Sequence, residues 1–170
     1  MKPGSVEFVR QTQDAHQLLD AFVGHWDVKG TVIRHGHDDP LPLTGLNEVQ
    51  WEAERSFLSA RGVTRLGDGV ETHGLGAWTY DYELAAFRTV AVSSSGAVAV
   101  GTAGLDPEDQ TWHARMTSAG PGGRMVWTGS IRFLDPDTKE EHWTARKYAS
   151  LICDLSIIKT EHRRREPRGL

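Results

Sequence analysis

The sequence predicts an all-β fold: a single antiparallel up-and-down β-barrel of about ten strands with a short N-terminal helix. Apolar and polar positions alternate in stretches of strand length. These stretches recur every 10 to 14 residues or roughly so, with joins of hairpin length between them. Six Trp and 18 Gly in 170 residues suit a sheet-rich chain with tight turns, where large rings fill a curved interior. A sandwich would satisfy the same spacing. Small residues within Gly24–Val32 and Ala97–Gly104, where a closed sheet must bend, favour the barrel.

Residues 1–13 are polar and read as a flexible N-terminus ahead of one domain over 14–163. Ala15, Leu18, Leu19 and Phe22 recur at helical spacing, with Asp14 placed to cap the helix and Gly24 to end it. One apolar helix face needs a neighbour, and an end of the barrel supplies one. In the first strand Trp26, Val28, Gly30 and Val32 alternate with His25, Asp27, Lys29 and Thr31, and Trp26 is expected to pack across the barrel floor. Pro40 and Pro42 then break any ladder. Asn47 to Glu52, Ser56 to Leu66 and Thr72 to Tyr80 are the next strands, followed by Phe87 to Ser93 and Ala97 to Leu105 around Ser94-Ser95-Gly96. Turns at Asp106-Pro107, Gly120-Pro121 and Asp135-Pro136 separate Thr111–Ser118, Arg124–Leu134 and Glu140–Tyr148, and Asp154–His162 is last.

Net charge of −4 with pI near 6.0 gives no electrostatic reason to expect nucleic acid. No apolar run approaches membrane-spanning length and no signal region opens the chain, so a cytoplasmic protein without a membrane partner is expected. The single cysteine, Cys153, allows no intrachain disulfide and reads as a small buried hydrophobe. Arg163-Arg164-Arg165 and Arg168 read as a solvated basic tail, assigned to residues 164–170.

The opening His16-x-x-Leu19-x-x-x-Val23-Gly24-x-Trp26 resembles that of a lipocalin-like family within the calycin group, catalogued as a domain of unknown function. Trp51-Glu52 before Phe57-Leu58, Gly76, Tyr80-Asp81, Gly101, Asp106 and Trp112 follow in the same order, and the likeness covers residues 14–162. It implies a barrel with an internal cavity and no single activity. It also implies a basic residue from the last strand over the Trp, here Arg163 or Arg164. Ala53-Glu54-Arg55-Ser56 departs from the family's glycine-rich turn.

The candidate chemistry is distributed over several strands. His73, Tyr80, His113 and Arg115 are the candidate catalytic groups, with His73 among small apolar neighbours read as an interior acid or base. Trp51, Phe57, Arg61, Trp78, Trp127, His142 and Tyr148 are the candidate ligand-binding residues. The polar faces His113/Arg115 and His142/Thr144/Arg146/Tyr148 either line a cavity or form the outer wall. His35 and His37 have metal-ligand spacing but sit in what also reads as a plain polar loop, and no metal or other cofactor is assigned. The leading reading is a barrel binding a hydrophobic or aromatic small molecule. The alternatives are a cofactor-free cyclase or isomerase in the same cavity and, by analogy of fold alone, a haem barrel using His142 or His162. Val90 and Val92, or Ala97 and Ala99, could form a homodimer face.

Overall fold

The computed structural model describes residues 14–34, 39–120, 123–148 and 155–166. Ten strands form a closed antiparallel barrel in which each pairs with the next in sequence and the last returns to the first. They are β1 (Gly24–Ile33), β2 (Leu41–Glu52), β3 (Phe57–Leu66), β4 (Glu71–Asp81) and β5 (Ala86–Ser93). β6 (Val98–Asp106), β7 (Thr111–Gly120), β8 (Gly123–Asp135), β9 (Thr138–Tyr148) and β10 (Leu155–Arg165) complete it. Closure leaves no unpaired edge. No helix among the described residues is long and apolar enough to cross a membrane.

Residues 14–19 are helical and run into a 3₁₀ turn, Asp20–Phe22. Asp14 is already inside the helix and is not its cap. Gly24 opens β1 at φ +142° instead of ending the helix, and a Cβ there would approach the Arg164 guanidinium at 3.3 Å. That explains the glycine of Gly24-His25-Trp26: the backbone conformation strains any side chain, and a Cβ would also press on the Arg164 guanidinium. The second proline of the loop also differs from expectation: Pro42 lies within β2, opposite Thr31, and its carbonyl accepts the Gly67 amide at 2.8 Å. β2 therefore begins six residues earlier than the alternation suggests. At the far end, β10 extends through Arg165, so Arg164 and Arg165 are strand residues and not a solvated tail.

The plugged end of the barrel is an aromatic floor under the helix. Leu19 and Trp26 are wholly buried, and Phe22 packs edge-on against Trp112 and Phe133 at 5.2 and 5.0 Å between ring centres. Trp26 donates its indole N–H to the Phe22 carbonyl at 2.9 Å, tying strand to helix. Arg164 covers the Trp26 ring at 4.6 Å and donates to the carbonyls of Val23, Ala21 and Pro136. One side chain thus joins helix end, first strand and the β8–β9 turn, as the resemblance implied.

The β2–β3 turn clamps the other side of the helix. Asp20 accepts from Trp51 Nε1 at 2.7 Å and from Arg55 at 2.6 Å, and Arg55 lies over the Trp51 ring. Ala53, Glu54 and Arg55 all have positive φ, 46°, 55° and 68°. Three consecutive non-glycine residues in this region are strained, at about 1 kcal/mol each. Glu54→Gly, which leaves the bonds of Asp20 to Trp51 and Arg55 in place, is expected to raise stability by about 1 kcal/mol, read as a higher melting temperature. An unchanged or lower Tm would show that the turn carries no such strain.

Candidate ligand site

Alternation along the strands decides which side chains face inward. At the floor the inward positions are large and buried: Trp26, Val49, Leu58, Phe87, Trp112 and Ile131. At the opposite end one sector, around β1 and β2, is closed by Val28, Val32 and Leu43 packed with Leu66 and Ile158. Across the barrel, from β4 to β8, the inward residues shrink to Gly76, Ala91, Ala99, Gly101 and Met116, flanked by outward-facing neighbours and only partly buried. Eight strands enclose a space that side chains just fill. A ten-stranded wall is wider, and glycine and alanine side chains on this sector fill less of it. Trp127 faces the same space and donates to Ser118 Oγ at 3.0 Å, fixing its ring against the wall.

Against the floor lies a buried polar cluster from β9 and β10. Lys139, Glu141 and Trp143 occupy successive inward positions of β9, and Thr160 and His162 those of β10, in register beside them. Lys139 Nζ donates to Glu141 Oε1 at 2.7 Å and lies 5.2 Å from the centre of the Trp26 ring. Trp143 Nε1 donates to Glu141 Oε2 at 3.0 Å. Its ring sits on Gly129, where a Cβ would come within 2.3 Å, so the glycine is the seat of the indole. His162 Nε2 is 3.0 Å from Thr160 Oγ1 and 3.4 Å from Glu141 Oε1.

Burial pushes the Glu141 carboxyl up, but the charges of Lys139 and His162 and the hydrogen bonds from Lys139 and Trp143 outweigh it and hold its pKa at about 2. Burial first, with Lys139 adding to it and Glu141 opposing, pushes His162 down to about 4. The cluster at neutral pH is therefore a Lys⁺–Glu⁻ pair with a neutral imidazole.

The residues singled out in the sequence are not brought together. His73 faces outward, contrary to the interior reading: its side chain is 66% exposed and its ring lies 2.8 Å from Glu71. Gly74 and Gly76 take the inward positions instead. His113, Arg115 and His142 are also exposed on the outer wall, so both polar faces resolve as exterior. Tyr80 faces inward but belongs to the floor, edge-on to Phe87 at 5.1 Å. Trp51 is held by the helix, and Trp78 packs on Phe22 at 5.3 Å. Phe57 and Arg61 border recesses on the outer wall. Of the described side chains in the candidate ligand-binding set, Trp127 faces inward away from the floor. The side chain of Tyr148, with His35, His37 and Cys153, lies outside the described residues. His142 stands on the outer wall, and the buried His162 directs its Nε2 at Thr160 and Glu141.

A recess of about 840 Å³ crosses the outer wall of β4–β7, with Val90, Val100, Arg88 and Arg115 on its lining. At the β6–β7 turn Asp106, Asp109 and His113 bring ligand atoms within 4.8 Å of one another. Asp106 and Asp109 already accept the amides of Glu108 and Thr111, each at 2.9 Å, so turn geometry accounts for their placement.

A family model described as "Protein of unknown function (DUF1579)" matches residues 11–149. No curated protein matches the chain in sequence. Among solved structures, the S-type phycobiliprotein lyase CPES from Guillardia theta aligns over 91% of this chain and 94% of its own at 11% identity, with a TM-score of 0.65. Rv2717c from M. tuberculosis aligns over 89% and 98% at 14% identity, with a TM-score of 0.64. EF1p2_mFAP2b bound to DFHBI aligns over 88% and 98% at 13% identity, with a TM-score of 0.50. At these identities the likeness is one of fold.

Proposed function

The chain belongs to the DUF1579 family of proteins of unknown function, and within its lipocalin-like barrel we propose a binding site for a hydrophobic or aromatic small molecule in the open half of the interior. One observation carries this reading: away from the floor the inward positions of β4 to β7 include Gly76, Ala91, Ala99, Gly101 and Met116, while the floor is closed by aromatic rings. A space bounded in this way would be largely apolar with few polar groups, the usual character of a small-molecule site. A neighbour of this fold is bound to DFHBI, which is compatible with that use of a barrel. Binding is preferred to the enzyme reading because His73, His113 and Arg115 stand on the outer wall and Tyr80 in the floor, with no convergence on one reacting atom.

The neutral fluorophore N-phenylnaphthylamine tests the site. Saturable one-to-one binding is expected in the wild type, weakened about tenfold or more by Ala99→Phe, which fills the inward face of β6. Retained Tm in that variant shows that the space accepts the ring. Unchanged affinity in Ala99→Phe would place the probe elsewhere and sink the interior assignment.

A second copy of the chain is proposed to dock on the outer wall, where Leu75, Val90, Val92, Val98 and Val100 are exposed in adjacent register positions of β4–β6. Ala99, considered for this face from sequence, points inward and takes no part. Light scattering should give a dimer mass that Val92→Lys with Val100→Lys converts to a monomer. A monomeric wild type at high concentration would contradict it.

A further inference from the structure

The recess on the outer wall of β4–β7 sets a cationic row beside an apolar one. Alternation with the buried Phe87, Thr89, Trp112 and Ala114 turns Arg88 and Arg115 outward. Register then places them in one cross-strand row, Thr79–Arg88–Thr102–Arg115, on four neighbouring strands. The adjoining row is Ala77–Val90–Val100–Thr117, apolar over its first three positions. Both rows line the same recess of about 840 Å³, with Phe57 of β3 beside them. Long side chains standing among short ones, Arg88 and Arg115 among Ala77 and Thr102, give the wall its depth there.

The charges of the recess are not balanced. No carboxylate is among its described lining residues. Arg88 donates its Nε–H to Asp81 Oδ2 at 2.8 Å and keeps its terminal N–H groups. Arg115 is exposed and pairs with no carboxylate among the described residues. Two cations against the one carboxylate of Asp81 leave a net positive charge on this part of the wall, on a chain whose net charge is −4. Two strand spacings, about 10 Å, separate the Arg88 and Arg115 backbones. Both side chains are long enough to reach one anion placed over Thr102.

We propose that this recess binds an organic monoanion, its carboxylate held by Arg115 and Arg88 beside the Thr102 hydroxyl and its apolar body lying on Ala77, Val90 and Val100. The planar guanidinium fork matches a carboxylate, and one negative charge balances the excess. An exposed ion pair alone is worth little, so the apolar row supplies the rest of the attraction. A neutral aromatic lacks the head group that the cationic row holds, so this site is separate from the interior one and does not rest on it. Val90 and Val100 also belong to the face offered to a second copy of the chain, so anion and copy exclude one another.

A matched pair of probes isolates the charge: 2-naphthoate and 2-naphthamide share ring and shape, and only the first is an anion. The wild type is expected to bind the naphthoate about tenfold more tightly, with a preference that shrinks as salt is raised. Nuclear Overhauser contacts from the bound naphthoate should fall on the Val90 and Val100 methyl groups. Arg115→Leu is expected to erase the preference at unchanged Tm, since Arg115 is exposed and pairs with no carboxylate among the described residues. Equal affinity for acid and amide in the wild type, or a preference that survives Arg115→Leu, would overturn the anion site. Contacts to Met116 and Ala99 would put the acid inside the barrel, which overturns this site while supporting the interior reading. No binding of naphthoate, with the wall bare or covered by a second copy, would overturn it as well.

Discussion

Glu141→Gln is expected to lower stability by about 3–5 kcal/mol, a fall in Tm of roughly 10 °C for a chain of this size. The substitution keeps the shape and the bond from Trp143 but removes the charge facing Lys139 Nζ, whose side chain is 3% exposed. An ammonium left uncompensated at that depth is the expensive outcome. Lys139→Met combined with Glu141→Gln removes both charges and is expected to recover much of the loss, because a neutral, packed replacement of a buried pair is often tolerated. If the double variant is as unstable as the sum of its parts, the cluster is not coupled as described.

The same cluster has a pH signature. His162 titrates at about 4 in the fold against 6.5 ordinarily, and Glu141 at about 2 against 4.5. Both folded values are depressed, so the unfolded chain binds the protons first. Stability is whole above pH 6.5, falls between 6.5 and 4 through His162, and falls again between 4.5 and 2 through Glu141. The His162 portion amounts to about 3 kcal/mol. The difference in Tm between wild type and His162→Gln, followed across that upper window, isolates it. A difference that stays constant from pH 7 to about 4 would contradict the buried neutral imidazole.

Trp26→Ala is the second large effect, at about 3–5 kcal/mol. Trp26 is wholly buried, donates to Phe22, and stands against both Arg164 and Lys139. Truncation opens a cavity in the floor, strands the Phe22 carbonyl and leaves two cations without their aromatic face. Trp26→Phe keeps a ring and loses the indole N–H, and should cost clearly less. Equal losses for the two would mean that the hydrogen bond, and not the packing, dominates, contrary to the close fit of the floor.

Much of this architecture was legible from turn chemistry and alternation. Asp-Pro turns, Ser94-Ser95-Gly96 and Gly67-Asp68-Gly69 punctuate the chain at the positions where strands end. Pro42 reads as a strand breaker because a proline inside a paired strand is uncommon, and its pairing with Thr31 and the Gly67 amide is distant in sequence. The direction of each face was the harder matter. His113 and Arg115 alternate with Trp112, Ala114 and Met116, and the aromatic phase points inward, leaving the polar phase to solvent. The inner cluster was hidden for a related reason. Lys139-Glu140-Glu141-His142 reads as a charged strand start, yet Lys139 and Glu141 share the phase of Trp143 and Ala145 and are carried inside with them. That shared period of two was the available signal. The strained turn at Ala53–Arg55 showed only as a missing glycine.

The central claim is that the open half of the interior, and not the outer recess, holds the neutral ligand. Methyl NMR of the protein saturated with N-phenylnaphthylamine addresses it directly, because inward and outward methyl groups alternate along the same strands. Nuclear Overhauser contacts from the probe to Met116 and Ala99 are the expected result, with none to Val90 or Val100. Contacts confined to Val90 and Val100 would put the ligand on the outer wall and contradict the account.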